Sequence, residues 1–309
     1  VTLSSPGNAS LGSDQVHTYT ITDNDATPSL SINDVTAANE NAANSTFTVT
    51  LSAASGLAVT VNYATSNGTA TAGADYTAIS STQLTIAAGA TTATFNVAVL
   101  ADSLDEANET ATLTLSSVSS TATISDATAT LTITDDDATP SLSINDVTAA
   151  NENAANSTFT VTLSAAAGRD VTVGYSTSNG TATAGADYTA TSGTLTISAG
   201  ATSATFTVAV LADSLDEANE TVTLTLSSAS NATISDATGT LTITDDDSVP
   251  SVDFNATSSS GAESASSKAL TVDLSAAAGR DVTVAYAITG TATGSGTDFT
   301  LANGTLTIS

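Results

Sequence analysis

Apolar residues alternate with threonine along much of the chain. In one such stretch, Phe47, Val49 and Leu51 occupy every second position. The same spacing recurs at Leu30 and Ile32, at Val59, Val61 and Tyr63, at Leu84 and Ile86, at Phe95, Val97 and Val99, at Leu113 and Leu115, and at Leu131 and Ile133. A period of two is typical of β-strands, and glycine, asparagine, serine and aspartate separate the runs as turn residues. The pattern predicts an all-β fold in which about seven antiparallel strands form an immunoglobulin-like β-sandwich.

This strand pattern is itself repeated. The string SLSINDVTAANENAANSTFTVTLSAA occurs twice, beginning at Ser29 and at Ser141. A spacing of about 110 residues is that of a domain and not of a short solenoid repeat, so we predict a tandem array of sandwiches. The array comprises the end of a preceding repeat (1–25), two complete repeats (29–137 and 141–247) and the first half of a diverged repeat (251–309). Because both ends fall inside a repeat, we expect the polypeptide to continue beyond them.

The charge of the chain is strongly one-sided. Its 309 residues include 31 acidic and three basic residues, with a formal net charge of -28. Nucleic acid and anionic membrane surfaces are therefore excluded as partners, because phosphate binding needs clustered lysine and arginine. The sequence contains no cysteine, which excludes disulfides and thiolate metal sites and leaves oxygen atoms as the available ligands. No apolar run approaches the roughly 20 residues that span a membrane.

The acidic residues concentrate where strands meet loops. In the first complete repeat they lie at Glu40, Asp75, Asp102, Asp105, Glu106, Glu109 and Asp135 to Asp137. In the second they lie at Glu152, Asp187, Asp213, Asp216, Glu217, Glu220 and Asp245 to Asp247. Strands that alternate in direction place every other loop at the same end, so these carboxylates can converge, and calcium takes six to eight such oxygen ligands. The alternative is that they are ordinary turn residues on a solvated surface.

Four motifs in this order resemble the Calx-beta domain: a glutamate before the second strand, GTATAGADYTA, VLADSLDEANETATLTL and LTITDDDATP. The resemblance covers both complete repeats. It implies a seven-stranded sandwich that binds calcium in loops at one end. The implied calcium ligands are Glu40, Asp75, Asp102, Glu106, Asp135, Asp136 and Asp137 in the first repeat, and Glu152, Asp187, Asp213, Glu217, Asp245, Asp246 and Asp247 in the second.

The partial repeats retain fewer of these positions. The diverged repeat has Glu263 and Asp298, and the leading segment has Asp23, Asn24 and Asp25. Each complete repeat also departs from the family pattern, because alanine (Ala101 and Ala212) stands where strong calcium-binding members often carry a first acid. We interpret Asp105 and Asp216 as candidates to replace the missing ligand.

The residues argue against an enzyme. His17 is the sole histidine, and near-identical tandem copies of a catalytic site are not expected. The leading hypothesis is a calcium-rigidified spacer in a large extracellular or cell-surface adhesin, matrix or fibre protein. The alternative is an interaction module whose repeats bind a surface, a polysaccharide or like chains, and lateral or head-to-tail self-association is left open. A regulatory calcium sensor comes third. The expected partners are calcium ions and the neighbouring repeats.

Overall fold

The computed structural model describes residues 1–309 except 37, 38, 43, 149, 150, 154, 155, 263, 295 and 297. Within the described residues, all regular secondary structure is β-strand, and no helix is long and apolar enough to cross a membrane. The chain divides into two compact units, Val1–Asp102 with Ala107–Asp136, and Ser103–Glu106 with Asp137–Ser309. Below, residues 1–25 are the leading segment, 29–137 the first repeat, 141–247 the second repeat and 251–309 the trailing repeat.

Among its described residues, the first unit contains nine strands in two sheets. The four-stranded sheet has the order β6-β3-β1-β8 and the five-stranded sheet the order β2-β9-β7-β4-β5. Their bounds are β1 Ser29–Ile32, β2 Val35–Thr36, β3 Ser45–Leu51, β4 Val59–Asn67, β5 Thr82–Ile86, β6 Thr92–Val97, β7 Glu109–Ser116, β8 Thr123–Ile124 and β9 Thr128–Ile133. Pairing is antiparallel except for β1 with β8 and β2 with β9.

The core of the first repeat lies between these sheets. The apolar residues of β3 are buried and the threonines between them face outward or are half-buried. Phe47 pairs directly with Phe95 of β6, and their rings stack with centroids 5.6 Å apart. Tyr63 of β4 stacks on the ring of Phe95, with centroids 3.8 Å apart. These three aromatic side chains therefore form a cluster that joins the two sheets. Fully burying such a side chain contributes about 1.5–3 kcal/mol.

The second unit contains the second repeat with the same two-sheet order. Its sheets are β15-β12-β10-β17 and β11-β18-β16-β13-β14. The bounds are β10 Ser141–Ile144, β11 Val147–Thr148, β12 Ser157–Leu163, β13 Val171–Asn179, β14 Ser192–Ile197, β15 Ser203–Val208, β16 Glu220–Ser230, β17 Thr233–Ile234 and β18 Thr238–Ile243. Phe159, Phe206 and Tyr175 form the equivalent aromatic stack.

The trailing repeat lies in the same unit and forms two hairpin-like pairs. Strands β19 (Val252–Phe254) and β20 (Val272–Leu274) pair with each other, as do β21 (Val282–Tyr286) and β22 (Gly304–Ile308). The predicted all-β sandwich class is confirmed. The structure also contains short two-residue strands that the sequence pattern did not predict, and these strands make the parallel pairings.

Candidate metal centre

The second repeat positions its acidic residues through backbone hydrogen bonds at the strand ends. Glu152 precedes β12, and its N–H donates to the carbonyl oxygen of Thr244, just beyond β18, at 3.1 Å. The carbonyl oxygen of Asp187 accepts from the N–H of Leu211 at 2.9 Å, which ties the loop after β13 to the segment that leads to Asp213. These bonds join four segments that are distant in the sequence, in two pairs: the segments of Glu152 and Thr244, and those of Asp187 and Leu211.

Two groups of three carboxylates result. Glu152, Asp213 and Asp247 each place an oxygen within 4.8 Å of the others, and so do Asp187, Asp213 and Glu217. Asp213 belongs to both groups, so the two adjoin. The donor atoms are all carboxylate oxygens, which are the ligands of hard divalent cations such as calcium. The donor set therefore fits the ion that the sequence predicts.

The other two predicted ligands, Asp245 and Asp246, make hydrogen bonds to the loops that carry the candidate ligands. Asp245 accepts a hydrogen bond from the backbone N–H of Glu217 at 3.1 Å, which fixes the loop that carries Glu217. The Asp246 carboxylate accepts from the side-chain amide of Asn153 at 2.6 Å. Asp246 thus holds the turn around Glu152 and lies outside the two three-carboxylate groups. Its role as a metal ligand stays a prediction.

Burial, together with the crowding of like charges, raises the pKa of several of these carboxyls. Burial, followed by the charges of Asp213 and other neighbours, raises the pKa of Glu152 to about 7, and this residue is 8% exposed. Burial and a hydrogen bond with Asp187 raise the pKa of Glu220 to about 7. The pKa of Glu217 and that of Asp247 are also raised. A bound cation would remove the repulsion that produces the like-charge part of these shifts.

Sequence reasoning noted Glu220 as an acid but did not include it among the ligands. Its carboxyl group shares a hydrogen bond with Asp187, a member of one group. Its position in the sequence could have indicated this role, because Glu220 begins β16 at the same end of the sandwich as the other acids.

Comparison with known proteins agrees with this architecture. The protein-family description "Calx-beta domain" matches residues 23–137, 135–247 and 245–309. The chain belongs to the Calx-beta family. No curated protein sequence matches it.

Solved Calx-beta structures are similar to this chain at low sequence identity. CBD12 from CALX1.2 is 19% identical, covers 69% of this chain and 99% of its own, and gives a TM-score of 0.34. The calcium binding domain CBD12 of CALX1.1 is 21% identical, with 65% and 80% covered and a TM-score of 0.34. The apo-form Calx CBD1 domain is 23% identical, with 36% and 100% covered and a TM-score of 0.34.

The first Calx-beta repeat makes the same local bonds. The N–H of Glu40 donates to Thr134 at 3.1 Å. The Asp75 carboxylate accepts from the N–H of Thr71 at 2.6 Å, as Asp187 does from Thr183. Asp136 accepts from Asn41 at 2.7 Å. The ligand roles of Glu40, Asp75, Asp102, Asp135 and Asp136 stay predictions. The ligand roles of Glu106 and Asp137, which belong to the second compact unit, also stay predictions.

In the partial Calx-beta repeats only fragments of the site are found. Asp298 accepts from the N–H of Thr293 at 2.6 Å, which repeats the local bond of Asp187. Glu263 lies outside the described residues. In the leading segment, Asp23 accepts from the N–H of Asp25 at 3.1 Å, a local turn bond. Neither segment shows a three-carboxylate group among its described residues.

Asp216 and Asp105 have arginine partners. The Asp216 carboxylate is bound at two atoms by Arg280 of the trailing repeat, at 2.8 and 3.1 Å. Asp105 pairs with Arg169 at 2.8 Å. The suggestion that these aspartates replace a missing calcium ligand is therefore not supported by the geometry, because buried carboxylates held by guanidinium groups are already compensated.

The segment of the trailing repeat that binds Asp216 also contacts a candidate calcium ligand. The N–H of Gly279 donates to the Asp216 carbonyl oxygen at 3.2 Å, and any side chain at Gly279 would overlap that of Glu217. Glycine at this position lets the loop of the trailing repeat lie directly against a candidate ligand. The loop that carries Glu217 is therefore held from both sides, by Asp245 and by the trailing repeat.

Replacement of Arg280 tests this contact. Arg280→Gln should lower the free energy of unfolding by about 2 kcal/mol, because Asp216 is 4% exposed and a buried carboxylate without its cation is strongly disfavoured. Lys268→Gln removes the same charge elsewhere in the trailing repeat and should change stability by less than about 0.5 kcal/mol. Urea unfolding of both variants measures the difference. Equal effects of the two substitutions would show that the ion pair contributes nothing specific.

The raised carboxyl pKa values predict an unusual pH dependence. Glu152 has a folded-state pKa of about 7 against a usual 4.5, so between these pH values the folded chain binds more protons than the unfolded chain. In chelator, the free energy of unfolding should therefore fall as pH rises from about 4.5 to about 7, by on the order of 3 kcal/mol for this residue. Urea unfolding at pH 5 and pH 7.5 checks the trend. A stability that increases over this interval in chelator would contradict the crowded-carboxylate interpretation.

Proposed function

We propose that this chain is a calcium-binding, calcium-rigidified spacer region of a large extracellular or cell-surface protein. The observation that carries the proposal is the pair of carboxylate groups in the second repeat that share Asp213. They lie at the end of the sandwich where β18 leaves for the next repeat, so an ion bound there acts at a junction. The proposed role is structural and not catalytic.

Calcium is the cation that best fits these groups. Every donor is a carboxylate oxygen, and calcium accepts six to eight oxygen ligands in flexible geometry, whereas magnesium requires a near-ideal octahedron and keeps several waters. The net charge of -28 also favours cation binding. One of the similar solved structures is described as a calcium binding domain. We extend that property to this chain.

A spacer role is supported by the repetition and by the junctions. The two complete repeats are nearly identical, which suits a protein that needs length. Three residues, Ser248, Val249 and Pro250, separate Asp247 from the next repeat, and proline further restricts this short linker. The second and trailing repeats, which share one compact unit, are joined in addition by the bonds of Asp216 to Arg280 and Gly279.

Small-angle scattering tests the rigid-spacer proposal. In millimolar calcium the 309-residue chain should give one well-defined maximum dimension, and excess chelator should broaden the distance distribution because the junction loops lose the ion that orders them. Magnesium at the same ionic strength is the control for simple charge screening. A distance distribution that is identical in calcium and in chelator would exclude a calcium-dependent stiffener, even if calcium binds.

A further inference from the structure

The loop from Asn179 to Tyr188 carries Asp187, a member of one carboxylate group. The first half of the loop is anchored to β16, because the N–H of Ala182 donates to the carbonyl oxygen of Thr221 at 3.0 Å. In the second half the backbone turns back on itself, and the N–H of Asp187 donates to the carbonyl oxygen four residues earlier at 3.0 Å. Local bonds of this kind shape a turn, whereas its position on the sandwich depends on bonds of longer range.

Asn179 binds the second half of the loop at two points. Its amide oxygen accepts from the N–H of Ala184 at 3.1 Å and from the hydroxyl of Tyr188 at 2.7 Å. An amide oxygen has two lone pairs and can therefore hold both donors. Tyr188 is 1% exposed, and a phenol hydroxyl buried this deeply needs an acceptor within the protein. Because Asn179 is the last residue of β13, the two bonds tie the turn to a strand of the sandwich.

The tie acts on a candidate ligand through a single peptide bond, since Tyr188 directly follows Asp187. The Asp187 carboxylate accepts from the N–H of Thr183 at 2.6 Å, and its carbonyl oxygen accepts from the N–H of Leu211 at 2.9 Å. Tyr188 also forms an antiparallel bridge with Val210. A carboxylate held in this way keeps its direction before an ion arrives, and such preorganisation favours tight binding.

The first repeat contains the same pair. The amide oxygen of Asn67 accepts from the N–H of Ala72 at 3.0 Å and from the hydroxyl of Tyr76 at 2.7 Å. Tyr76 is also 1% exposed, and it directly follows the predicted ligand Asp75. The arrangement is therefore a feature of the complete repeat and not of one copy.

The trailing repeat lacks both members of the pair. Phe299 follows Asp298 where tyrosine follows the aspartate in the complete repeats, and Thr289 precedes Gly290 where asparagine precedes the glycine. Phenylalanine has no hydroxyl that requires an acceptor. Asp298 nevertheless keeps the local bond from the N–H of Thr293 at 2.6 Å. The turn around the aspartate thus forms without the pair, so the contribution of the pair is to tie the turn to the strand.

We propose that Asn179 and Tyr188 are positioning residues that hold Asp187 for calcium, and that the equivalent pair of the first repeat does the same. This inference rests on the proposed calcium-binding function. The pair acts through Asp187 and not as a ligand, because its amide oxygen and its hydroxyl are bonded to each other. Outer-shell hydrogen bonds of this kind orient metal ligands and raise the affinity of the site.

Calorimetric titration of the 309-residue chain with calcium tests the proposal. Both complete repeats are changed at once, so that no unchanged site hides the effect. The asparagine variant is Asn67→Ala with Asn179→Ala, and the tyrosine variant is Tyr76→Phe with Tyr188→Phe. The asparagine variant should bind calcium about tenfold more weakly or worse, and the tyrosine variant should lose less, because the bond from Ala184 remains. All four changes together should weaken binding no more than the asparagine variant does, because the two members act as one unit.

The matched control is Tyr63→Phe with Tyr175→Phe. It removes the same hydroxyl groups from tyrosines of the aromatic stacks and should leave the calcium affinity unchanged. Hydrogen exchange in chelator gives a second readout that needs no bound ion. The amides of Ala72 and Ala184 should exchange faster in the asparagine variant, while those of the core strands stay protected and show that the variant is folded.

The outcomes separate this proposal from the calcium-binding function itself. If the wild-type chain binds calcium and the asparagine variant binds it equally well, the pair is a structural bond only and the proposal is overturned, whereas calcium binding stands. If the wild-type chain binds no calcium, both are overturned. Should the asparagine variant fail to fold, the conservative tyrosine variant decides, and an affinity equal to that of the wild type would overturn the proposal.

Discussion

Removal of calcium should lower the melting temperature of the second repeat by at least about 10 °C. A ligand present at about 100 times its dissociation constant stabilises a folded domain by about 2.7 kcal/mol. For a domain of this size each kcal/mol shifts the melting temperature by roughly 4–8 °C. The effect is large because the net stability of a domain is only about 5–15 kcal/mol, and because the unliganded site concentrates like charges around Glu152.

Thermal unfolding followed by circular dichroism, in millimolar calcium and then in excess chelator, measures this shift. Readdition of calcium should restore the higher melting temperature. Magnesium at equal concentration should restore little of it, because magnesium gives up its water ligands reluctantly and needs near-ideal octahedral geometry, whereas calcium accepts several carboxylates in a flexible arrangement. Equal restoration by both ions would point to general screening of the charge, and no shift on chelation would leave the aspartates as ordinary turn residues.

The strand pattern could be predicted because threonine and apolar residues alternate with few interruptions. Phe47, Val49 and Leu51 are all buried, as the period of two requires. The division of the first strand into β1 and β2 could not be predicted this way. Asn33 accepts from the N–H of Thr48 at 2.8 Å and Asp34 from that of Thr130 at 2.7 Å. These side chains replace ladder bonds where the chain crosses from one sheet to the other.

Convergence of the acids at one end followed from strand direction, and the groups around Asp213 agree with it. The arginine contacts did not follow from any local pattern. Arg280 is 64 residues from Asp216, and nothing in the sequence near either residue specifies the other. The sequence therefore indicated which residues share an end of the sandwich, whereas the partner of each carboxylate depends on how successive repeats meet.

Replacement of Asp213 should have opposite effects in calcium and in chelator. In calcium, Asp213→Asn removes an anionic oxygen from both carboxylate groups, so the second repeat should lose most of the roughly 2.7 kcal/mol that bound calcium contributes. In chelator the same substitution should raise the melting temperature relative to the wild type. The reason is that the Asp213 charge is among the causes of the raised pKa of Glu152, Glu217 and Asp247.

The matched control is Asp236→Asn, which removes one exposed negative charge just before β18, at the opposite end of that strand from Asp245 to Asp247, and belongs to neither group. It should shift the melting temperature slightly and in the same direction in both solutions, because it relieves only long-range repulsion that salt screens. The first repeat keeps its own acids and serves as an internal reference in every variant. If Asp213→Asn destabilised the chain equally in calcium and in chelator, Asp213 would act by holding its loop, through the bond to the N–H of Leu215, and not as a shared ligand.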